Sequence, residues 1–350
     1  MHKNPSETVM DRRDFLKSSA ALAAATAGAS ALGAAQEPTP ARKTPGSDGL
    51  IHRNERPSMA YRKLGRTNFL ASRLVFGCGA ALSGGRGVHL LERAFEAGVN
   101  YYDNGSNLYY RGSEKAFAPF LRAHRDDVWI ASKAPLRLLR DLQETGALSL
   151  EDAKSMAAGW TRLLEASLKD LETDYVDAYY LMAVSDPPVV ACEELYAAFT
   201  RARDAGKVGH FGLSTHKRAK EVLEAAIETG WYDIAMVAVT PAGWYDWDSR
   251  SLLAGTPPMT ELRPLLDRAR DAGLGLVGMK AGRFLTGPSG EAAFDSYYEE
   301  GLLKAGLNAY QRAYAYVLEH GVDVVNADMQ NFTHLEENLV AAARAQSLFA

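Results

Sequence analysis

The chain has 350 residues, with 39 basic and 43 acidic side chains, a formal net charge of −4, 47% hydrophobic residues and two cysteines. That balance excludes a disordered, collagen-like or disulfide-stapled chain, and without a basic surplus there is no electrostatic reason to bind nucleic acid. Length alone allows one large α/β unit or two domains of about 150 residues each.

The first 35 residues differ in kind from the rest. Arg12-Arg13-Asp14-Phe15-Leu16-Lys17 leads into a run of Ala, Ser and Gly that ends near Gly33-Ala34-Ala35. A basic start, a mildly apolar stretch and small residues at its end are the layout of an export signal, and the paired arginines before Phe-Leu-Lys resemble a bacterial twin-arginine signal. A spanning helix needs about 20 strongly apolar residues, which this Ala- and Ser-rich run lacks, so no stable membrane anchor is expected. The segment reads as a signal cleaved after Ala35, with export to the periplasm through the twin-arginine translocation machinery. It carries four basic and three acidic residues, so its removal leaves the mature chain one charge more negative. That route carries folded proteins, and an organic cofactor loaded before export would fit it. Residues 36–58, with Pro38, Pro40, Pro45 and Pro57, read as a linker ahead of a folded unit at 59–350. Cys78 and Cys192 fall in different predicted elements and make no disulfide framework.

From Arg73 onward, short apolar runs alternate with stretches of helical period, the signature of parallel βαβ units. The pattern predicts strands at 73–78, 99–103, 127–132, 176–182, 208–213, 233–239, 274–280 and 322–327. Helices are predicted at 86–98, 113–124, 151–171, 190–205, 217–229, 260–272, 306–319 and 331–346. Eight such units close into a (β/α)8 TIM barrel. An open doubly wound sheet is disfavoured because no Gly-x-Gly-x-x-Gly turn follows the first strand. In a barrel of this kind chemistry collects where strands end and helices begin.

Asp103 and Lys133 each end an apolar strand, and Tyr109 and Tyr110 lie shortly after Asp103. An acid and a lysine at neighbouring strand ends form an ion pair, and a lysine so placed favours the phenolate of a nearby tyrosine. Together they make a general acid for carbonyl reduction. Taken singly, Asp103 reads more readily as a helix N-cap and Lys133 as a surface residue. No His-x-His pair or cluster of ligands stands at the strand ends, so no metal site is expected.

These stretches resemble the aldo-keto reductase family from about Tyr61 to Asn338. The resemblance is carried by Tyr61-Arg62-Lys63-Leu64-Gly65-Arg66-Thr67, Ala97-Gly98-Val99-Asn100-Tyr101-Tyr102-Asp103, Ser113-Glu114, Ala131-Ser132-Lys133 and Asp174-Tyr175-Val176-Asp177. Gly206-Lys207-Val208, Gly212-Leu213-Ser214-Thr215-His216, Met279-Lys280 and Leu335-Glu336-Glu337-Asn338 extend it. It implies an NAD(P)H-dependent oxidoreductase on a TIM barrel, acting on a small-molecule carbonyl or alcohol through a tetrad of Asp, Tyr, Lys and His. Asp103 and Lys133 match the tetrad aspartate and lysine. Leu108 stands at the family's usual tyrosine position; Tyr109 needs the smaller shift from the aspartate, whereas counting back from Ser113-Glu114 selects Tyr110. The family's Asp-Thr-Ala is altered to Asp103-Asn104-Gly105, and Met182 occupies the position of the histidine. A thioether donates no hydrogen bond; His216, on the same rim, is a weak substitute.

For the cofactor, the resemblance assigns Ser214 and Thr215 to the nicotinamide carboxamide. The segment Met279, Lys280, Ala281, Gly282, Arg283 and Phe284 is assigned to the pyrophosphate, and Glu337 and Asn338 to adenine. Relatives that use NADP place a Lys or Arg where this chain has Asp328, which would repel a 2′-phosphate; His334 is a weaker substitute for the usual arginine, and Asp328 also reads as a cap of the last helix. The choice between NAD and NADP stays open. So does the role of the loop bearing Trp244, Tyr245 and Trp247, as a platform for a ligand or as packing on its own barrel. Met182, the shifted tyrosine and Asp328 motivate a second function, a catalytically altered barrel serving as a periplasmic ligand-binding or partner-binding module.

Overall fold

The computed structural model describes residues 45–136, 139, 148–286, 290–327 and 329–343. Eight parallel strands, β1 (Leu74–Gly77), β2 (Tyr101–Asp103), β3 (Trp129–Pro135), β4 (Val176–Met182), β5 (Val208–Thr215), β6 (Ile234–Thr240), β7 (Gly275–Met279) and β8 (Val324–Ala327), pair in chain order. Pairing of β8 with β1 closes the barrel. Around it stand α1 (His89–Glu96), α2 (Ser113–His124), α3 (Leu150–Asp170), α4 (Glu193–Asp204), α5 (Ala219–Thr229), α6 (Met259–Asp271), α7 (Ala309–His320) and α8 (Phe332–Ala342). The strands agree with the sequence expectation to within three residues at either end. Capping defines several helix starts: Ser149 accepts from the Asp152 N–H at 3.1 Å, and Asn308 forms a reciprocal capping box with Gln311. The cap of α8 is Asn331, which accepts from the His334 N–H at 2.8 Å; Asp328, read as a possible cap, lies outside the described residues.

Alternation along each strand sorts the side chains into two cores. Val75, Tyr101, Trp129, Ala131, Ala178, Tyr180, Met236 and Val277 fill the inside of the barrel. Phe76, Tyr102, Ile130, Tyr179, Leu181, Phe211 and Val325 pack outward against the helices. Continued upward, the inward parity reaches Asp103, Lys133, Met182, Ser214, Met279 and Asn326 at the C-terminal rim, and all six line one cavity.

The opposite end is plugged. An antiparallel hairpin of Tyr61–Lys63 and Leu70–Ser72 crosses the floor, and Phe69 stacks on Trp129 with centroids 4.5 Å apart. Arg53 is buried there, 3.0 Å from the Asp177 carboxylate, with Arg125 at 3.2 Å on its other side. Burial acts to raise the Asp177 pKa, but the two guanidiniums outweigh it and hold the group below its ordinary value. Packing on the barrel therefore begins at Ile51, which bridges to Phe69, inside the stretch that composition marks as linker. Both cysteines are buried and free.

Candidate active site

At the rim, Lys133 Nζ pairs with the Asp103 carboxylate and donates to the Asn104 carbonyl at 2.5 Å. The other Asp103 oxygen accepts from Asn326 Nδ2 at 2.6 Å. Burial raises the Asp103 pKa above the usual carboxylate value, against the pull of Lys133 and Asn326. Lys133 also stands 5.6 Å above the Tyr180 ring, so the ammonium is held by a charge, a carbonyl and an aromatic face. This pair forms the floor of a cavity of about 320 Å³.

Tyr110 lines that cavity, whereas Tyr109 packs edge-on against its ring, with centroids 4.7 Å apart. The Tyr110 hydroxyl stands 4.0 Å from Met182 Sδ. Two glycines make the slot for the ring: a Cβ on Gly79 would lie 2.9 Å from it and one on Gly105 2.5 Å. The altered Asp103-Asn104-Gly105 thus supplies the space that the Tyr110 ring needs. Tyr110 rides on a short helix, Asn107–Tyr110, whose start is capped by Ser106 and whose end turns through left-handed Arg111 and Gly112. Asn107 locks this helix to α2: its N–H donates to the Glu114 carboxylate at 3.0 Å and its Oδ1 accepts from the Glu114 N–H at 2.9 Å. The second Glu114 oxygen accepts from Ser132 Oγ at 2.6 Å. Burial raises the Glu114 pKa.

The other expected residues divide by strand parity. Met182, Ser214 and His216 line the cavity, with Ser214 Oγ accepting from the Ala183 N–H at 3.2 Å. Thr215 is fully buried on the opposite face and donates to the Lys217 carbonyl at 2.7 Å, so the structure does not bring it to the cavity with Ser214. Met279, Lys280, Gly282 and Arg283 line the wall, while Ala281 is buried behind it and Phe284 packs on Phe294. Lys280 adopts φ +71° and Ala183 φ +64°, left-handed conformations immediately beyond strand ends, where strain commonly marks function. His334, Glu337 and Asn338 reach the far end of the cavity.

Of the aromatic loop, Trp244 and Tyr245 are buried against the barrel. Trp247 stays at the rim, with Lys280 Nζ 4.6 Å and the Arg283 guanidinium 5.5 Å from its ring centroid. His216 is partly buried beside it, and desolvation and Lys280 push its pKa down to about 3. It is therefore neutral at physiological pH, with one ring N–H and one acceptor nitrogen.

Sequence reasoning passed over Asn326, Asn104, Gly79, Gln330, Tyr310 and Tyr314, all of which line the cavity. Asn326 was legible from the inward parity of β8; Tyr310 and Tyr314 arrive from α7 through tertiary packing alone. Among the described residues no group of three His, Cys, Asp or Glu could hold a metal, and no helix is long and apolar enough to cross a membrane.

Comparison with known proteins agrees with this geometry. The family model for the aldo/keto reductase family matches residues 82–253, a segment that contains Asp103, Tyr110, Lys133 and Ser214. A model for the twin-arginine translocation signal sequence matches residues 9–29. Norsolorinic acid reductase of Emericella nidulans is 30% identical over 127 residues, a match spanning 36% of this chain and 32% of that protein. Among solved structures, the holo form of an aldo-keto reductase from Bacillus halodurans superposes with a TM-score of 0.59 at 20% identity, covering 82% of this chain and 92% of its own. A thermostable aldo-keto reductase bound to the inhibitor epalrestat gives 0.58 at 24% identity, covering 81% and 94%. Those two likenesses establish the closed eight-stranded fold. The chain is thus similar to the aldo/keto reductase family over residues 82–253, with the strand-end Asp103 and Lys133 inside the matched segment, and carries a twin-arginine signal sequence ahead of its barrel.

Proposed function

We propose that the protein is an exported, periplasmic oxidoreductase that uses NAD(P)H to reduce a carbonyl, or NAD(P)+ to oxidise an alcohol, on a small molecule. The observation that carries this reading is the buried Asp103–Lys133 pair beside the cavity-lining Tyr110. The donor set suits a dinucleotide: Lys280 and Arg283 offer charge for a pyrophosphate, and Gln330, Glu337 and Asn338 offer polar contacts for a purine and its ribose. When bound, the nicotinamide would supply or accept the hydride. In this reading Tyr110 holds the proton exchanged with the substrate oxygen, and Lys133 favours its phenolate form. Asp103 anchors Lys133 as its ion-pair partner, Asn326 orients Asp103, and Ser214 faces the ring that the nicotinamide would present.

Titrating the intrinsic tryptophan fluorescence with NADH and NADPH tests the reading. Saturable binding of at least one is expected, and absence of binding to both at millimolar concentration overturns it. Of the described cavity-lining residues near the adenine end, only His334 is basic in character, which supports NADH as the tighter ligand. Met182 favours a second reading, a barrel that binds its ligand without turnover. Nucleotide binding without reduction of any of a panel of aldehydes and ketones would select it.

A further inference from the structure

Asn104 stands apart from the other buried amides of the barrel. It is fully buried and lines the cavity, and its backbone is engaged twice, by its N–H to the Ala131 carbonyl at 2.8 Å and by its carbonyl from Lys133. Yet neither Oδ1 nor Nδ2 of its side chain has a hydrogen-bond partner among the described residues. Asn100, equally buried, accepts from the Ser72 N–H and donates to the Arg53 and Leu70 carbonyls. Buried polar groups are almost always paired, and one left alone costs about 1–3 kcal/mol. A buried carboxamide without a partner, on a residue that lines the cavity, is an arrangement that a ligand completes.

Its neighbours indicate which ligand atom. Asn104 follows Asp103 directly, its carbonyl holds Lys133, and the next residue, Gly105, forms the slot for the Tyr110 ring. Met182 lines the same wall and offers no donor. Resting on the oxidoreductase reading above, we propose that the Asn104 carboxamide is a catalytic residue whose Nδ2–H donates to the carbonyl oxygen of the substrate, an aldehyde or ketone. The terminal torsion of Asn is soft, so the amide turns toward that oxygen without rotamer strain. In the balanced step, a bound dihydronicotinamide would supply the hydride that bonds to the carbonyl carbon and would leave oxidised. The C=O π bond breaks, and the oxygen takes the Tyr110 proton to become an alcohol. Asn104 transfers no atom; it stabilises the charge that develops on oxygen.

The test uses Asn104→Leu, close in volume and without polar atoms, with Asn104→Ala as a smaller second variant, and 4-nitrobenzaldehyde as the carbonyl probe. Replacing an unpaired amide should leave the melting temperature of Asn104→Leu unchanged or raised and NADH affinity within about twofold, while kcat falls about 10²-fold. Met182→His added to Asn104→Leu should recover at least about tenfold, because it returns a donor to the same wall. A lower melting temperature in both variants, with activity falling only as the folded fraction falls, would assign Asn104 a structural role and overturn the proposal. A loss of NADH affinity with kcat retained at saturation would move the amide to the ribose, and wild-type protein that binds NADH but leaves 4-nitrobenzaldehyde unreduced also overturns it. Failure of the oxidoreductase reading is separately visible as wild-type protein that binds neither nucleotide.

Discussion

His216 offers a direct check on the electrostatics of the cavity. It lines the wall beyond β5, with Lys280 as its cationic neighbour and Asp246 and Asp248 opposing. Desolvation and Lys280 together push its pKa from 6.5 down to about 3. A group whose folded pKa lies below its unfolded value contributes stability that is present above the unfolded pKa and is lost as pH falls through the window toward the folded one. The unfolded chain takes up the proton that the folded chain refuses. Below about pH 6.5 the slope approaches 1.36 kcal/mol per pH unit, and by pH 5 the loss integrates to about 2 kcal/mol. His216→Gln keeps a polar side chain of similar reach and removes the titration. Urea unfolding at pH 7 and pH 5, at equal ionic strength, should therefore show wild type losing about 2 kcal/mol more than His216→Gln. Parallel losses in the two proteins would refute the reasoning and return His216 to the candidates for a proton donor.

Three further substitutions probe the site. Asp103→Asn leaves the Lys133 ammonium buried without its countercharge and should lower unfolding stability by about 3 kcal/mol, part of which Lys133→Met restores in the double variant, as read by urea denaturation. Gly105→Ala puts a Cβ 2.5 Å from the Tyr110 ring, so Tyr110 must shift; kcat should fall at least tenfold or so while nucleotide affinity holds, and unchanged kinetics would mean that Tyr110 is not the proton carrier. Glu114→Gln keeps the shape but trades an acceptor for a donor facing the Asn107 N–H or Ser132 Oγ; stability should drop by about 1–3 kcal/mol and kcat should fall more than KM changes, as steady-state kinetics will report.

The barrel was legible because each strand is short, apolar and followed by a helix of regular period, so eight units could be counted without knowing one contact. The floor hairpin was not. Tyr61–Lys63 and Leu70–Ser72 span three residues each, too few for alternation to stand out, and what defines them is contact with the barrel. The same holds for the segment around Arg53, whose composition reads as linker but whose guanidinium meets Asp177 and the Val128 carbonyl, partners more than 70 positions away. Proline and charge describe a linker only where nothing buries them.

Within the site, parity along the strands proved the stronger guide. Asp103, Lys133, Met182, Ser214 and Asn326 all fall on inward positions, and the same count that admits Asn326 turns Thr215 outward, onto the Lys217 carbonyl. Pairing Ser214 with Thr215 by resemblance ignored that two consecutive strand residues face opposite sides. The choice between Tyr109 and Tyr110 lay beyond sequence for a different reason. It depends on a slot shared by Gly79 and Gly105, which meet only when β1 and β2 are neighbours in the closed barrel. Those glycines connect two departures from the family pattern. The Tyr110 ring needs room that an alanine after Asn104 would fill, and Gly105 provides it. That places the phenol beside the Met182 thioether, and the missing histidine therefore leaves a gap in hydrogen bonding, while the space itself is occupied.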